Sequence, residues 1–472
     1  MSGTDEEQGD EIRDFGRRFS EFIQWAHTFG GSAQQPVTSM LREHLGERVD
    51  QPAVRRQWSA FEQVNVQRAL DHWIDEESRD VRVQGLSVPP HFSEISLGQL
   101  LDGEHLPPVR MSTPDITDLP AGPGRTLACW NCALLLVHGP AGAFAVLISG
   151  PQEHQEPSVS IEVAGLPVPD AQAVFAEIER LRNRLNVYRG QVVTASMNAM
   201  GAVALTFATL EPVERNDVIL PEPVIARIER HALGVSQHAV QLTASGQHLK
   251  RGLLLYGPPG TGKTHTVRYL VGARTDATRV LLQGESLRAV GQIASLAREL
   301  APGIVVLEDV DLVAEDRSYG DVNPVLFELL DAMDGSAPDA DLLFVLTTNR
   351  AEVLERALVQ RPGRVDVAVE VGRPDVAART ALLRLYGADV LDDLTGGDID
   401  AAVGRTEGVT ASFLKELIRR AVLTALADGR HSRVRADDLR EALDDLLDQT
   451  QSVTRSLLGV LSGAEPTDRE GQ

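Results

Sequence analysis

Apolar positions along this chain gather into short unbroken runs, and the clearest of them lie in its second half. Runs at 253–256, 279–282, 304–307, 342–347 and 367–371 have the length of buried strands, and the segments between them carry helical spacing. Together they predict a doubly wound α/β domain over residues 216–374. Residues 375–450 carry helical spacing throughout and read as a small bundle. The polar, Pro-containing tail at 451–472 is expected to stay outside any core. Upstream, 56–215 reads as an α+β domain: a helix over 56–77, a hairpin of strands 128–137 and 143–149, a strand near 158–163, a helix over 171–185 capped by Asp170, and a strand over 201–210. Residues 1–55 are polar and partly helical, with a Phe15/Phe19/Phe22/Phe29 stripe that suits packing as ordinary core.

The run at 253–256 leads straight into Gly257, Pro258, Pro259, Gly260, Thr261, Gly262, Lys263 and Thr264, followed by His265. Strand, glycine loop, Lys-Thr and helix form the order that triphosphate binding needs. Glycines let backbone N–H groups turn inward as an anion nest, and the helix N-terminus adds its positive end. Lys263 can reach the β- and γ-phosphates, and the Thr264 hydroxyl can ligate Mg²⁺. A Gly/Pro-rich surface turn is the bland alternative.

About 45 residues on, a buried strand ends in Glu308, Asp309 and, two positions later, Asp311. An apolar strand that delivers acids at its C-terminal end sets them beside a phosphate loop. One acid can then hold the metal and the next can deprotonate the attacking water. Thr347-Thr348-Asn349 closes the following strand, where an uncharged amide can hydrogen-bond a γ-phosphate oxygen. Arg361 and Arg364 sit on a short Arg-Pro-Gly-Arg turn. They lie on the wrong sheet edge for their own nucleotide, which suggests arginine fingers acting on a neighbouring subunit.

The formal charge of −23, from 68 acidic and 45 basic residues, disfavours nucleic acid as the main partner. Only three lysines occur, and one is Lys263. No run of 18 clean apolar residues offers a membrane span, and the acidic start lacks a basic, then apolar, leader; the expected location is cytoplasmic. Cys129 and Cys132 are three apart on a predicted strand and so point to opposite faces, which argues against a disulfide.

These pieces together resemble the AAA ATPases of the AAA+ superfamily, over about residues 217–445. The resemblance implies a P-loop large domain with a C-terminal helical lid, preceded here by the α+β domain. It also implies ATP and Mg²⁺ as ligands, hydrolysis of ATP, and a ring that is commonly a hexamer. By motif, Asp217 and Ile219 would cradle adenine, Glu308 would hold the magnesium shell and Asp309 would be the base. Asn349 would sense the γ-phosphate, Arg361 and Arg364 would be the fingers, and Gly408 and Ala411 would close over the nucleotide.

Two features depart from the family pattern. The acid pair is Glu-Asp where most members have Asp-Glu, an order that resembles the mitochondrial inner-membrane AAA chaperone that moves a folded iron–sulfur protein. Residues 270–318 also contain no Phe, Tyr or Trp where threading members place an aromatic grip, and Tyr319 is the nearest aromatic after the acid strand. The expected role is an oligomeric protein-remodelling machine whose N-terminal domain recognises a protein client. A slow nucleotide-dependent scaffold is the second reading, and a DNA-handling member the third.

Overall fold

The computed structural model describes Arg18 and residues 36–87, 95–103, 109–151, 157–198, 201–311, 331–333, 340–351, 365–391, 394–430 and 433–448. The chain divides into two compact units. The first takes the chain up to Val187 together with Asn198–Ala204, and the second takes Tyr188–Met197 with everything from Leu205 onward.

In the first unit, seven strands form an antiparallel sheet: β1 (Val54–Ser59), β2 (Asp80–Ser87), β3 (Arg110–Ser112), β4 (Asp115–Gly122), β5 (Arg125–Gly139), β6 (Gly142–Ser149) and β7 (Ser158–Ala164). Their order is β1-β7-β6-β5-β2-β3, with β4 pairing the first half of β5. Alternation along β5 explains how both faces are covered. Ala133, Leu135 and Val137 join a core with helices Gln63–Ile74 and Val168–Arg184. Leu134 and Leu136 join a separate core with helices Pro36–Leu45 and Leu97–Asp102. Successive side chains on a strand point to opposite faces, so one long strand serves two helical layers.

Three expectations for the elements between Val54 and Phe207 are corrected. The helix expected over 56–77 starts only at Gln63, because Val54–Ser59 alternates half-buried and exposed positions and pairs as β1 with β7. The helix expected to be capped by Asp170 begins at Val168, with Pro167 at its N-cap and Asp170 as the acid of its first turn. The expected strand 201–210 shortens to β9 (Val203–Phe207), and β8 (Val192–Met197) was not foreseen. The hairpin is present with longer strands, in register Val137↔Phe144. Cys129 and Cys132 are free thiols. Burial first, then nearby carboxylates, pushes them up to about 12 and about 11.

In the second unit, β10 (Arg251–Tyr256), β11 (Thr278–Gln283), β12 (Gly303–Glu308), β13 (Leu342–Thr348) and β14 (Val367–Glu370) form a sheet of order β14-β10-β13-β12-β11, which β8 and β9 extend at the β11 edge. The pairings of β10, β11, β12, β13 and β14 with their neighbours are parallel, as is that of β8 with β11. Strands β12 and β13 are buried almost throughout, as expected for strands covered on both faces. Downstream, helices Val376–Gly387, Gly396–Gly404, Ala411–Ala427 and Ala436–Leu447 share a core of their own around Phe413, Leu414, Leu417 and Leu443.

This order sets the site. Because β10 and β12 both flank β13, the C-terminal ends of three strands lie side by side. The register pairs Tyr256 with Thr348 and Leu307 with Leu346, so the ends are also level. Ligands of open α/β sheets bind at such ends, where chain connections diverge.

Candidate active site

The loop after β10 is built around backbone that only glycine fits. Gly257 has φ 144°, and a Cβ there would lie 2.3 Å from the Val371 carbonyl oxygen. Gly260 has φ 75°, and a Cβ there would lie 2.8 Å from Ser412 Oγ. The Thr261 hydroxyl donates to the Pro258 carbonyl at 2.9 Å, which closes the turn. Helix Lys263–Ala273 starts directly from the loop, so its free N–H groups face the loop's concavity.

Lys263 is buried, at 6% exposure, and its ammonium spends all three donors. Nζ donates to Gly257 O at 2.8 Å, Pro258 O at 2.9 Å and Asn349 Oδ1 at 2.7 Å. Burial presses its pKa down, and the carboxylates of Asp309 and Asp311 act against that. Because an ammonium only donates, Asn349 must turn Oδ1 toward it. Its Nδ2 is thereby left to donate to Asp309 Oδ1 at 3.2 Å. A continuous relay, Lys263 to Asn349 to Asp309, joins loop, β13 end and acid strand.

The two acids differ in setting. Glu308 ends β12, and burial followed by the Asp309 charge raises its pKa, with Arg268 and a hydrogen bond from Thr264 acting against the rise. A half-buried carboxylate held up by a like charge, with the Thr264 hydroxyl alongside, is a donor pair suited to a hard divalent cation. Asp309 follows with φ 51°, in the left-handed region that non-glycine residues seldom adopt. Such backbone costs on the order of 1–3 kcal/mol and persists only where its surroundings impose it. Here the Asp309 N–H donates to Thr347 Oγ1 at 3.0 Å, and the Asn349 contact holds the carboxylate.

Segment 217–219 bridges two cores. Val218 lies in the core beneath the sheet, Ile219 packs against the core of the C-terminal helices, and the Asp217 carbonyl accepts from His265 Nε2 at 3.1 Å. His265 therefore carries its proton on Nε2. Gly408, with φ 73°, precedes the turn whose Thr410 hydroxyl caps helix Ala411–Ala427, accepting from Phe413 N at 3.4 Å. Ser412 N donates to the Gly260 carbonyl at 3.0 Å. The start of that helix, including Ala411, thus sits against the phosphate loop.

The structure brings Lys263, Thr264, Glu308, Asp309 and Asn349 together, with 217–219 and 408–411 flanking the loop. Arg361, Arg364 and Tyr319 lie outside the described residues. Sequence reasoning gave no role to Thr347, Thr348, Asp311 or Ser412. Two hydroxyls closing an otherwise apolar strand, and an acid two positions past Asp309, were the available signals.

Residues 253–373 match the model of the family described as ATPase family associated with various cellular activities (AAA). The chain is 32% identical over 227 residues to the ATP-dependent zinc metalloprotease FtsH 3 of Sphaerobacter thermophilus, covering 45% of each protein. It is 32% identical over 222 residues to the proteasome-activating nucleotidase of Thermococcus kodakarensis, covering 44% of this chain and 55% of that protein. To the ATP-dependent zinc metalloprotease YME1L of Drosophila melanogaster it is 34% identical over 215 residues, 43% of this chain and 28% of that protein. The chain thus spans about half the length of the first two of these relatives and less than a third of the last. An AAA domain is present, and its match falls on the second unit.

Proposed function

We propose that the protein hydrolyses ATP to ADP and phosphate at this site and uses the resulting change of state to remodel a protein client. The observation that carries the reading is the relay from the buried Lys263 through Asn349 to Asp309, set at the level ends of three neighbouring strands. The matched relatives are named as ATP-dependent proteases and a nucleotidase, which fits an ATP-driven role. Zinc proteolysis is not carried over, because none of the 12 histidines is followed by Glu as an H-E-x-x-H helix requires.

Backbone N–H groups of the loop and the start of helix Lys263–Ala273 would hold the phosphates, and Lys263 would exchange a present partner for a phosphate oxygen. Magnesium, held by Thr264 and the water shell of Glu308, would neutralise charge developing on the phosphates. Asp309 would accept the proton of the attacking water, and Asn349 beside it would help orient that water. With a carboxylate one methylene shorter than Glu, the water must lie close to the strand end, where the left-handed Asp309 backbone is fastened to Thr347. Residues 217–219 would cradle the base. The helix beginning at Ala411 would act as a lid, since its Ser412 contact to Gly260 lets a change at the phosphates reach the C-terminal helices.

In this reading the working form is a homo-oligomeric ring, hexameric by resemblance, in which Arg361 and Arg364 complete the neighbour's pocket. The first unit recognises the client. The Glu-Asp order and the lack of aromatics in 270–318 favour folded clients over threaded ones. The segment that follows β11 supports this. It forms a compact 3-10 turn, Gly284–Ala289, whose Leu287 is buried together with the adjoining Val290.

A subunit-mixing experiment tests the shared pocket. Arg364→Ala protein is expected to bind ATP normally, to lose turnover, and to depress wild-type turnover out of proportion when the two are mixed into one assembly. Phosphate release that falls only in linear proportion to the mutant fraction would remove the trans role.

A further inference from the structure

Asp311 is the third carboxylate after β12, and neither the metal-holding nor the base role uses it. Its side chain is 5% exposed, and Oδ1 accepts from Thr348 Oγ1 at 2.8 Å and from Asn349 N at 3.3 Å. Thr348 is fully buried, and its hydroxyl accepts in turn from Arg350 N at 3.0 Å. One carboxylate oxygen thus holds the side chain of Thr348 and the main chain of Asn349. One position earlier, Thr347 Oγ1 holds the Asp309 backbone. These bonds continue the β12–β13 pairing past its last regular pair, Leu307↔Leu346, using side chains where the backbone ladder has ended.

A buried carboxylate is costly unless it is hydrogen-bonded, so its donors are fixed with it. The consequence reaches the relay. Asn349 must offer Oδ1 to Lys263 and Nδ2 to Asp309 at once, and that placement depends on where its main chain is held. We propose that Asp311 is a positioning residue that, through Thr348 and the Asn349 backbone, sets the Asn349 amide between Lys263 and Asp309. It acts by accepting hydrogen bonds, not by contributing a negative charge to the metal. The proposal rests on the ATPase reading above.

Asp311→Asn keeps an acceptor oxygen and removes the charge, whereas Asp311→Ala removes both. With Mg·ATP, Asp311→Ala is expected to lose on the order of 10–10²-fold in kcat, the scale on which a misplacement of about 1 Å at a catalytic site acts. KM and the affinity for a non-hydrolysable analogue should stay within about 3-fold. Asp311→Asn should retain turnover within about 3-fold of wild type, and Thr348→Val should reproduce the loss, which keeps the test open if Asp311→Ala fails to fold. Hydrogen exchange of the nucleotide-free protein over 342–351 should rise in Asp311→Ala and Thr348→Val but not in Asp311→Asn. An Asp311→Asn variant as inactive as Asp311→Ala would overturn the proposal in favour of a charge or metal role. So would full turnover in both Asp311→Ala and Thr348→Val. If wild type releases no phosphate, the ATPase reading itself falls, while the exchange pattern still decides whether Asp311 fastens the strand end.

Discussion

Replacing Lys263 with Met will cost the protein about 10²–10⁴-fold in ATP affinity, because charge-assisted hydrogen bonds contribute about 1.5–3 kcal/mol each and an ammonium at this position can reach two phosphate oxygens. Met keeps most of the buried stem, so the loss reports on charge and not on packing. The change also removes the ammonium from the Gly257 carbonyl and the Asn349 amide oxygen, and leaves the Pro258 carbonyl with the Thr261 hydroxyl alone of its two side-chain donors. Part of the effect will therefore appear as a looser loop even without nucleotide. Equilibrium binding of a fluorescent ATP analogue, alongside a thermal melt, separates the two contributions. Affinity within a few-fold of wild type would mean that phosphates are not bound at this loop.

The second large effect is expected on turnover alone. Asp309→Asn should bind Mg·ATP within about 3-fold of wild type and lose about 10²–10⁴-fold in kcat, the range typical of a removed general base. The substituted amide is the same size and still offers an oxygen to Asn349 Nδ2, so the strand end keeps its shape while losing the group that accepts a proton. Glu308→Gln should behave differently. Glu308 is the acid whose pKa is raised by burial and by Asp309, and its loss should raise the Mg²⁺ concentration needed for turnover. A single-turnover phosphate-release assay decides between the assignments. Normal hydrolysis by Asp309→Asn would mean that the base lies elsewhere and that the Glu-Asp order does not keep the roles of the usual pair.

What the sequence made legible is local. The phosphate loop announces itself because residues 257, 260 and 262 adopt positive φ and two of them touch other backbone or side chains, which leaves glycine as the residue that fits. Strands β12 and β13 show as apolar runs because both of their faces are buried, and the acids and amide at their ends follow in one stretch of chain. The less legible features depend on distant partners. β1 carries Arg55, Arg56 and Gln57 and looks helical until its register with β7 is known. β8 pairs with β11, 80 or more positions away, so nothing in its own six residues says that it belongs to the second sheet. The Thr347 bond to Asp309 and the Thr348 bond to Asp311 also join residues far apart in the chain, and a threonine at a strand end carries no local mark of that use.

The central claim is that one protomer supplies loop and acids while its neighbour supplies guanidinium groups. Phosphate release per protomer, measured at saturating Mg·ATP across a wide range of protein concentration with mass followed by light scattering, tests this most directly. The account predicts a specific rate that climbs as protomers assemble and levels off once the oligomer is complete. A particle that stays monomeric at every concentration and turns ATP over at an unchanging rate would contradict it.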